Sequence, residues 1–371
     1  MPSPALLDAF DRQVAWCAEP APFTARVLAR SRLWLQRDAV AAAAFDALST
    51  DPAAAAVPLR WAAALHQLAL QGVEPWRSLW PSAGNLVDVS AGQLNGAVDV
   101  ALDDAIDHAI ARAWALHRPQ VQSALASPPQ TNEVQRSAAL LPGLLHVAAA
   151  TGLPVVLLEI GASAGLNLWP DRYRHVHESW QWGDAASPLT LRCDWQGPPP
   201  AAAGADLRVV RRAGCDARPI DLVQPGANLR LASYIWPEQG GRLARLHAAC
   251  AAAAPWLQQE RVAVEALSAD DFLQREVSAC SHGAVTVVMH SVVWQYIDAN
   301  QQAAITQAMH DAGQAATVDR PLAWLRLEPP ARGAGDFELR CRLWPDGSDR
   351  LLAHAHPHVS HLHWRADGPA A

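Results

Sequence analysis

The reading turns on Val155-Val156-Leu157-Leu158-Glu159-Ile160-Gly161-Ala162-Ser163-Ala164-Gly165-Leu166-Asn167. Its first six residues form a short, almost continuous apolar run, as a strand buried on both faces of a parallel sheet requires. The run passes straight into a loop of small residues. Such a loop lets a ligand approach the backbone closely and offers it free amide groups. Toward the C-terminus, similar runs occupy 261–267, 284–289 and 322–327, and 207–214 reads as a second strand. Helical segments at 241–254, 269–276 and 299–312 lie among them. Alternating strands and helices predict a parallel sheet covered by helices on both faces. The end differs: 337–344, the turn Pro345-Asp346-Gly347 and 351–356 read as an antiparallel hairpin, with Leu339, Cys341 and Leu343 alternating against Arg340, Arg342 and Trp344. Residues 169–205 fit neither pattern and read as an inserted pair of short strands and a loop.

Upstream of the decisive stretch the pattern is helical. Leu6, Phe10 and Val14 recur at helical spacing, and in 97–116 Val98, Leu102, Ile106, Ile110 and Trp114 form one stripe. Opposite that stripe stand Asp99, Asp103, Asp107 and Arg112, expected as a solvated face. Ser127-Pro128-Pro129 breaks the pattern, and Thr131 is placed to cap a helix running to about 150, bent at Pro142. Residues 137–158 carry no charge, but Pro142, Gly143, Gly152 and Pro154 favour a helix, a turn and a strand over a membrane span. The expected organisation is a helical region, 1–130, followed by an α/β domain, 131–371.

Composition narrows the chemistry. Of 371 residues 51% are hydrophobic and 18% charged, so most of the chain has a core to bury. The net charge is −7 and no basic run stands out, which argues against a nucleic-acid partner. All 29 cationic side chains are arginines, which removes Schiff-base chemistry and the lysine of phosphate-binding GxxxxGK[ST] loops. The six cysteines, Cys17, Cys193, Cys215, Cys250, Cys280 and Cys341, never fall in CxxC spacing and read as buried thiols of a cytoplasmic protein. His354, His356 and His358 stand two apart, on one face if extended, but Pro357 interrupts and no carboxylate lies near; no metal is assigned. The N-terminus lacks the basic and apolar regions of a signal peptide.

Two reaction classes use a strand that ends in such a loop. In S-adenosylmethionine-dependent methyltransferases the pattern is acid-x-Gly-x-Gly-x-Gly; Glu159, Gly161 and Gly165 fit, and Ser163 stands for the middle glycine. Alternatively, Gly161-Ala162-Ser163-Ala164-Gly165 is literally G-x-S-x-G, the elbow of serine hydrolases. Order favours the first. A hydrolase needs several strands before its elbow, whereas here helices precede it, and Pro170 limits the helix that should follow.

The segments Gln130-Thr131-Asn132-Glu133-Val134-Gln135-Arg136, Leu158 to Leu168, Trp236-Pro237-Glu238-Gln239, His290-Ser291 and His354-Ala355-His356-Pro357-His358 together resemble an uncharacterised bacterial family, domain of unknown function 2332. The resemblance covers nearly the whole chain. It implies a Rossmann-like class I methyltransferase fold with a mainly parallel sheet and a C-terminal antiparallel hairpin, preceded by an all-helical region. At Val359 this chain departs from the glycine expected there.

On this reading Glu159, Gly161, Ala162, Ser163, Gly165 and Asn167 line S-adenosylmethionine. Asp216 holds the ribose hydroxyls, with Asp184, Asp194 or Asp221 as substitutes. Asp270 or Asp271 accepts from the adenine amino group, unless they simply cap the next helix. His290 is the general base, with Ser291 and Tyr296 beside it at the carboxyl end of a parallel strand. Thr131, Asn132, Glu133 and Arg136 form a polar wall or hold an anionic acceptor, and Trp236 and Glu238 belong to a loop that serves as a lid. The expected acceptor is a small molecule. A non-catalytic sensor or scaffold of the same fold remains the third alternative.

Overall fold

The structure, a computed structural model, describes residues 1–81, 96–278, 282–330 and 335–365. Cys280 and the side chains of Val98 and Asp99 lie outside the described residues. The chain forms two compact units, Met1–Thr131 with Pro225–Ala244, and Asn132–Gln224 with Arg245–Ala371. The first stretch therefore ends within a residue of the expected boundary, while 225–244, expected in the α/β domain, joins the helical unit.

The helical unit is built from Pro4–Cys17, Pro22–Leu35, Ala39–Asp46, Val57–Leu70, Trp76–Leu79, Gly96–Leu116, Arg118–Ala126 and Ala227–Ser233. Local chemistry starts its helices: Ser3 Oγ accepts from the Leu6 amide ahead of Pro4, and Asp38 accepts from Val40 and Ala41. Phe45, Trp61 and Trp114 lie in its core, with Trp34 stacked on Trp61 at 5.5 Å. The acids of 97–116 are not a plain solvated face. Asp103 and Asp107 pair with Arg26 and Arg30 of Pro22–Leu35, because that helix packs alongside.

Among the described residues the second unit holds twelve strands: β1 (Val155–Ile160), β2 (Arg174–Val176), β3 (Gln181–Trp182), β4 (Thr190–Leu191), β5 (Asp194–Gln196), β6 (Val209–Asp216), β7 (Val264–Ala266), β8 (Val285–Ser291), β9 (Leu322–Glu328), β10 (Phe337–Trp344), β11 (Ser348–Ala355) and β12 (His361–Trp364). Nine of them form one sheet in the order β5-β12-β11-β10-β9-β8-β1-β6-β7. From β9 to β7 every pairing is parallel, and β10, β11 and β12 add antiparallel strands. Taken in chain order the five parallel strands run 3-2-1-4-5, so the order reverses between β1 and β8. Such a reversal opens a crevice beyond the carboxyl ends of the strands.

Every residue of β1 and β8 is buried, as their apolar runs predict. Val156, Leu158, Val288 and Trp324 face the helices Ala269–Ser278 and Ala299–Gln314. The opposite face carries the helix Ser137–Thr151, which approaches β9 so closely that a Cβ on Gly143 would stand 2.6 Å from Leu325 Cδ1. Gly152, left-handed at φ 65°, ends that helix before β1.

Three expectations need correction here. Thr131 is exposed and caps nothing; a 3-10 turn, Val134–Arg136, precedes the helix, and Glu133 accepts from the Gln135 amide at its start. The inserted region is more than a strand pair: β2, β3 and β4 form a small sheet, and β5 extends the main sheet beside β12. The extended run that would align His354, His356 and His358 ends at Ala355. At Val359, where a glycine was expected, φ is 50° and the side chain is fully buried. The left-handed backbone explains the preference for glycine, and burial offsets its strain in this chain.

Candidate functional site

The β1 loop sits at the reversal point, and its shape is enforced by neighbours. Gly161 and Gly165 adopt φ 67° and 74°, and Ser163 adopts 54° without being glycine. A Cβ on Gly161 would stand 2.4 Å from Val293 Cγ2, so the loop after β8 fills that space. That second loop also contains a left-handed residue, Val292 at 56°. Two non-glycine residues held left-handed at adjoining strand ends are the kind of strain that surrounding structure must impose.

The expected free amides are absent from residues 162–166. Ala162 N–H donates to the Cys215 carbonyl at 2.9 Å and Gly165 N–H to Ala162 at 2.7 Å. Ser163 N–H donates to Asp216 Oδ2 at 3.0 Å. Ala164 and Leu166 N–H groups both donate to Asn132 Oδ1, at 3.2 and 2.9 Å. A loop whose amides are already accepted internally is a rigid platform and not an anion cradle. Asn132 and Asp216 thus serve first as its clamps. Asn167 joins them, accepting from Ser137 Oγ at 2.8 Å and donating to the Glu133 carbonyl at 3.4 Å.

Two polar side-chain atoms of the loop are buried with no hydrogen-bond partner among the described residues: Glu159 Oε2 and Ser163 Oγ. Glu159 is 2% exposed. Burial, with the Asp216 carboxylate adding to it, holds the Glu159 carboxyl well above the usual range, and Arg136 only partly opposes them. A cation or a hydrogen-bond donor would satisfy this unmet oxygen at the end of the central strand. Arg136 donates from Nε to the Pro357 carbonyl at 3.3 Å and from Nη1 to the Ser291 carbonyl at 3.4 Å. Glu133 lies 3.7 Å from His358 Nδ1. Asn132, Glu133, Arg136, Glu159, Ser163, Asn167 and Ser291 are therefore brought together around the reversal point.

His290 and Glu328 stand at the ends of β8 and β9. Side-chain alternation puts both on the face of Val288 and Trp324, opposite Glu159 and Ser291. His290 is 1% exposed and its ring stacks on Trp294 at 5.3 Å. Its Nδ1 lies 2.6 Å from Glu328 Oε1, which also accepts from the Val293 and Trp294 amides at 3.1 and 3.4 Å. Glu328 was missed in sequence. Its one signal was its place at the end of the fifth parallel strand, next to β8.

Other predicted residues lie elsewhere. Asp271 Oδ2 accepts from Ser268 Oγ at the start of Ala269–Ser278, and Asp270 accepts from Gln301, tying that helix to Ala299–Gln314. Tyr296 is 78% exposed on the turn Trp294–Tyr296. Thr131, Trp236 and Glu238 belong to the helical unit. The lid reading of Glu238 gives way to a structural one: its two oxygens accept from Thr24 N–H at 2.8 Å and Oγ at 2.9 Å, satisfying the first turn of Pro22–Leu35. Among the described residues no group of three or more histidine, cysteine or acidic side chains is placed to hold a metal, and no helix is long and apolar enough to cross a membrane.

Sequence comparison places this architecture in a family. Residues 7–364 match the profile of an uncharacterized protein family conserved in bacteria, domain of unknown function 2332, and the chain belongs to it. No curated protein and no solved structure matches the chain.

Proposed function

We propose that the second unit is a Rossmann-like domain that binds S-adenosylmethionine in the crevice beyond β1, β6 and β8, and that it methylates a small polar or anionic acceptor. The observation that carries this reading is the buried, unmet carboxylate oxygen of Glu159 at the point where strand order reverses. A methionyl ammonium bound here would draw Glu159 into its ionised form and pair with its unmet oxygen, with the Ser163 hydroxyl in the same loop. On this reading Asp216, at the end of the adjacent strand β6, would accept from the ribose hydroxyls in addition to the Ser163 and Arg218 amides. The two carboxyls would meet the two ends of the molecule, whereas Gly161 makes room for Val293 and not for a ligand.

Bound there, S-adenosylmethionine supplies an electrophilic methyl carbon. The chain's own task is to align the acceptor and remove its proton. His290 is the group suited to the second task. Titration calorimetry with S-adenosylmethionine and S-adenosylhomocysteine tests the reading directly. Micromolar binding to the wild type, weakened at least tenfold by Glu159→Gln, is the expected result. No binding by the folded wild-type chain would refute it.

A second reading, a serine hydrolase, draws on the left-handed backbone and unmet hydroxyl of Ser163 together with the His290–Glu328 pair. Against it, the turns Leu166–Leu168 and Pro170–Arg172 follow the loop where an elbow continues into a helix. Labelling by a fluorophosphonate, abolished in Ser163→Ala, would favour the hydrolase.

A further inference from the structure

The contact between His290 and Glu328 has chemistry that neither the family nor the loop motif assigns. An ionised carboxylate only accepts hydrogen bonds, so at 2.6 Å the shared proton sits on His290 Nδ1. In the neutral ring the lone pair then lies on Nε2. That atom is buried and has no partner among the described residues. A carboxylate needed only to cap the following turn would engage the Val293 and Trp294 amides alone. Here the imidazole contact is the shortest of the three on Oε1. Stacking on Trp294 and the tilted packing at 6.0 Å on Trp324 fix the ring plane, so the orientation is determined from two sides. Both orphan atoms of the pair, His290 Nε2 and Glu328 Oε2, lie in this apolar setting.

We propose that Glu328 is the positioning residue of a proton-accepting imidazole, holding His290 with Nδ1–H on its own oxygen so that Nε2 is the ring atom left to take a proton. As a methyl-transfer device this rests on the S-adenosylmethionine reading above. The acceptor it suits carries a hydroxyl or amine. That proton passes to Nε2 as the acceptor's electron pair forms the bond to the methyl carbon. The carbon–sulfur bond breaks with its pair left on sulfur, which becomes a neutral thioether. The imidazolium, stabilised by Glu328, then loses its proton to solvent.

The test uses the full chain labelled with 15N-histidine, with the His290 resonances identified by their loss in His290→Gln. In two-bond 1H–15N spectra at pH 8, wild-type His290 is expected to show a protonated Nδ1 and a bare Nε2. Glu328→Ala should shift it to the Nε2–H form or a mixture, and Glu328→Gln, which keeps an oxygen acceptor, should retain the wild-type form. A wild-type Nε2–H form, or an unchanged tautomer in Glu328→Ala, would overturn the proposal. Should Glu328→Ala fail to fold, the wild-type spectrum and Glu328→Gln decide. S-adenosylhomocysteine is titrated into the wild type in parallel; absence of binding fails the functional reading and leaves the tautomer result to stand by itself.

Discussion

Ionising Glu159 costs the folded chain more than it costs the unfolded one, because burial holds the carboxyl well above the usual range. The folded state therefore binds more protons than the unfolded state as pH rises past the ordinary carboxylate range, and stability falls over that window. Glu159→Gln removes the penalty. Its Tm should exceed that of the wild type at pH 8, and the gap should close as pH is brought down toward 4; a gap independent of pH would contradict this. His66 carries the opposite sign. Burial lowers its pKa to about 4, against the carbonyls of Ser233 and Ile235. Between the ordinary histidine value of 6.5 and about 4 the unfolded chain binds the extra proton, so stability is lost as pH falls. The full loss is about 3 kcal/mol, and His66→Gln should flatten that part of the profile in chemical denaturation. Legibility differed at this scale. Glu159 was legible because an acid ending an apolar run is conspicuous. Glu328 was not, because nothing in Leu327-Glu328-Pro329 distinguishes an acid on an imidazole from one in solvent.

At the scale of elements, the loops after β1 and β8 are two halves of one lock. Gly161 has room only for hydrogen where Val293 packs, and its backbone is left-handed. Gly161→Ala should cost about 2–3 kcal/mol, combining a steric clash with a backbone penalty of about 1–2 kcal/mol. Adding Val293→Ala should recover about 1 kcal/mol, since only the clash is relieved. Strict additivity in the double-mutant cycle would show that the two loops are not coupled. The strands of the lock were legible because β1, β8 and β9 are buried on nearly all sides and read as apolar runs. The insertion was not, because β3 and β4 are two residues long and are held by tertiary pairing. Free amides in the loop were a reasonable inference from small residues, but the acceptor that satisfies two of them, Asn132, lies about thirty residues upstream.

For the whole molecule, the division of the chain is the least legible feature. Periodicity reports the partners of one face, not which segment supplies them, so 225–244 gave no sign that it completes the helical unit. Its contributions are specific: Ala227–Ser233 packs on Val57–Leu70, Ser233 meets His66, and Glu238 satisfies Thr24. A fragment of residues 1–131 should therefore be less helical and more readily proteolysed than the same sequence in the full chain. Supplying 225–244 as a peptide should restore protection; a fragment that is equally resistant by itself would contradict this. The arrangement has a consequence for vectorial synthesis. The first helices leave the ribosome long before residue 225 is translated, so the side of Val57–Leu70 that Ala227–Ser233 covers stays bare while β1 to β6 are being made. The helical unit begins first and is finished late, and a nascent chain stalled anywhere between 131 and 225 displays an apolar surface that the completed protein never shows.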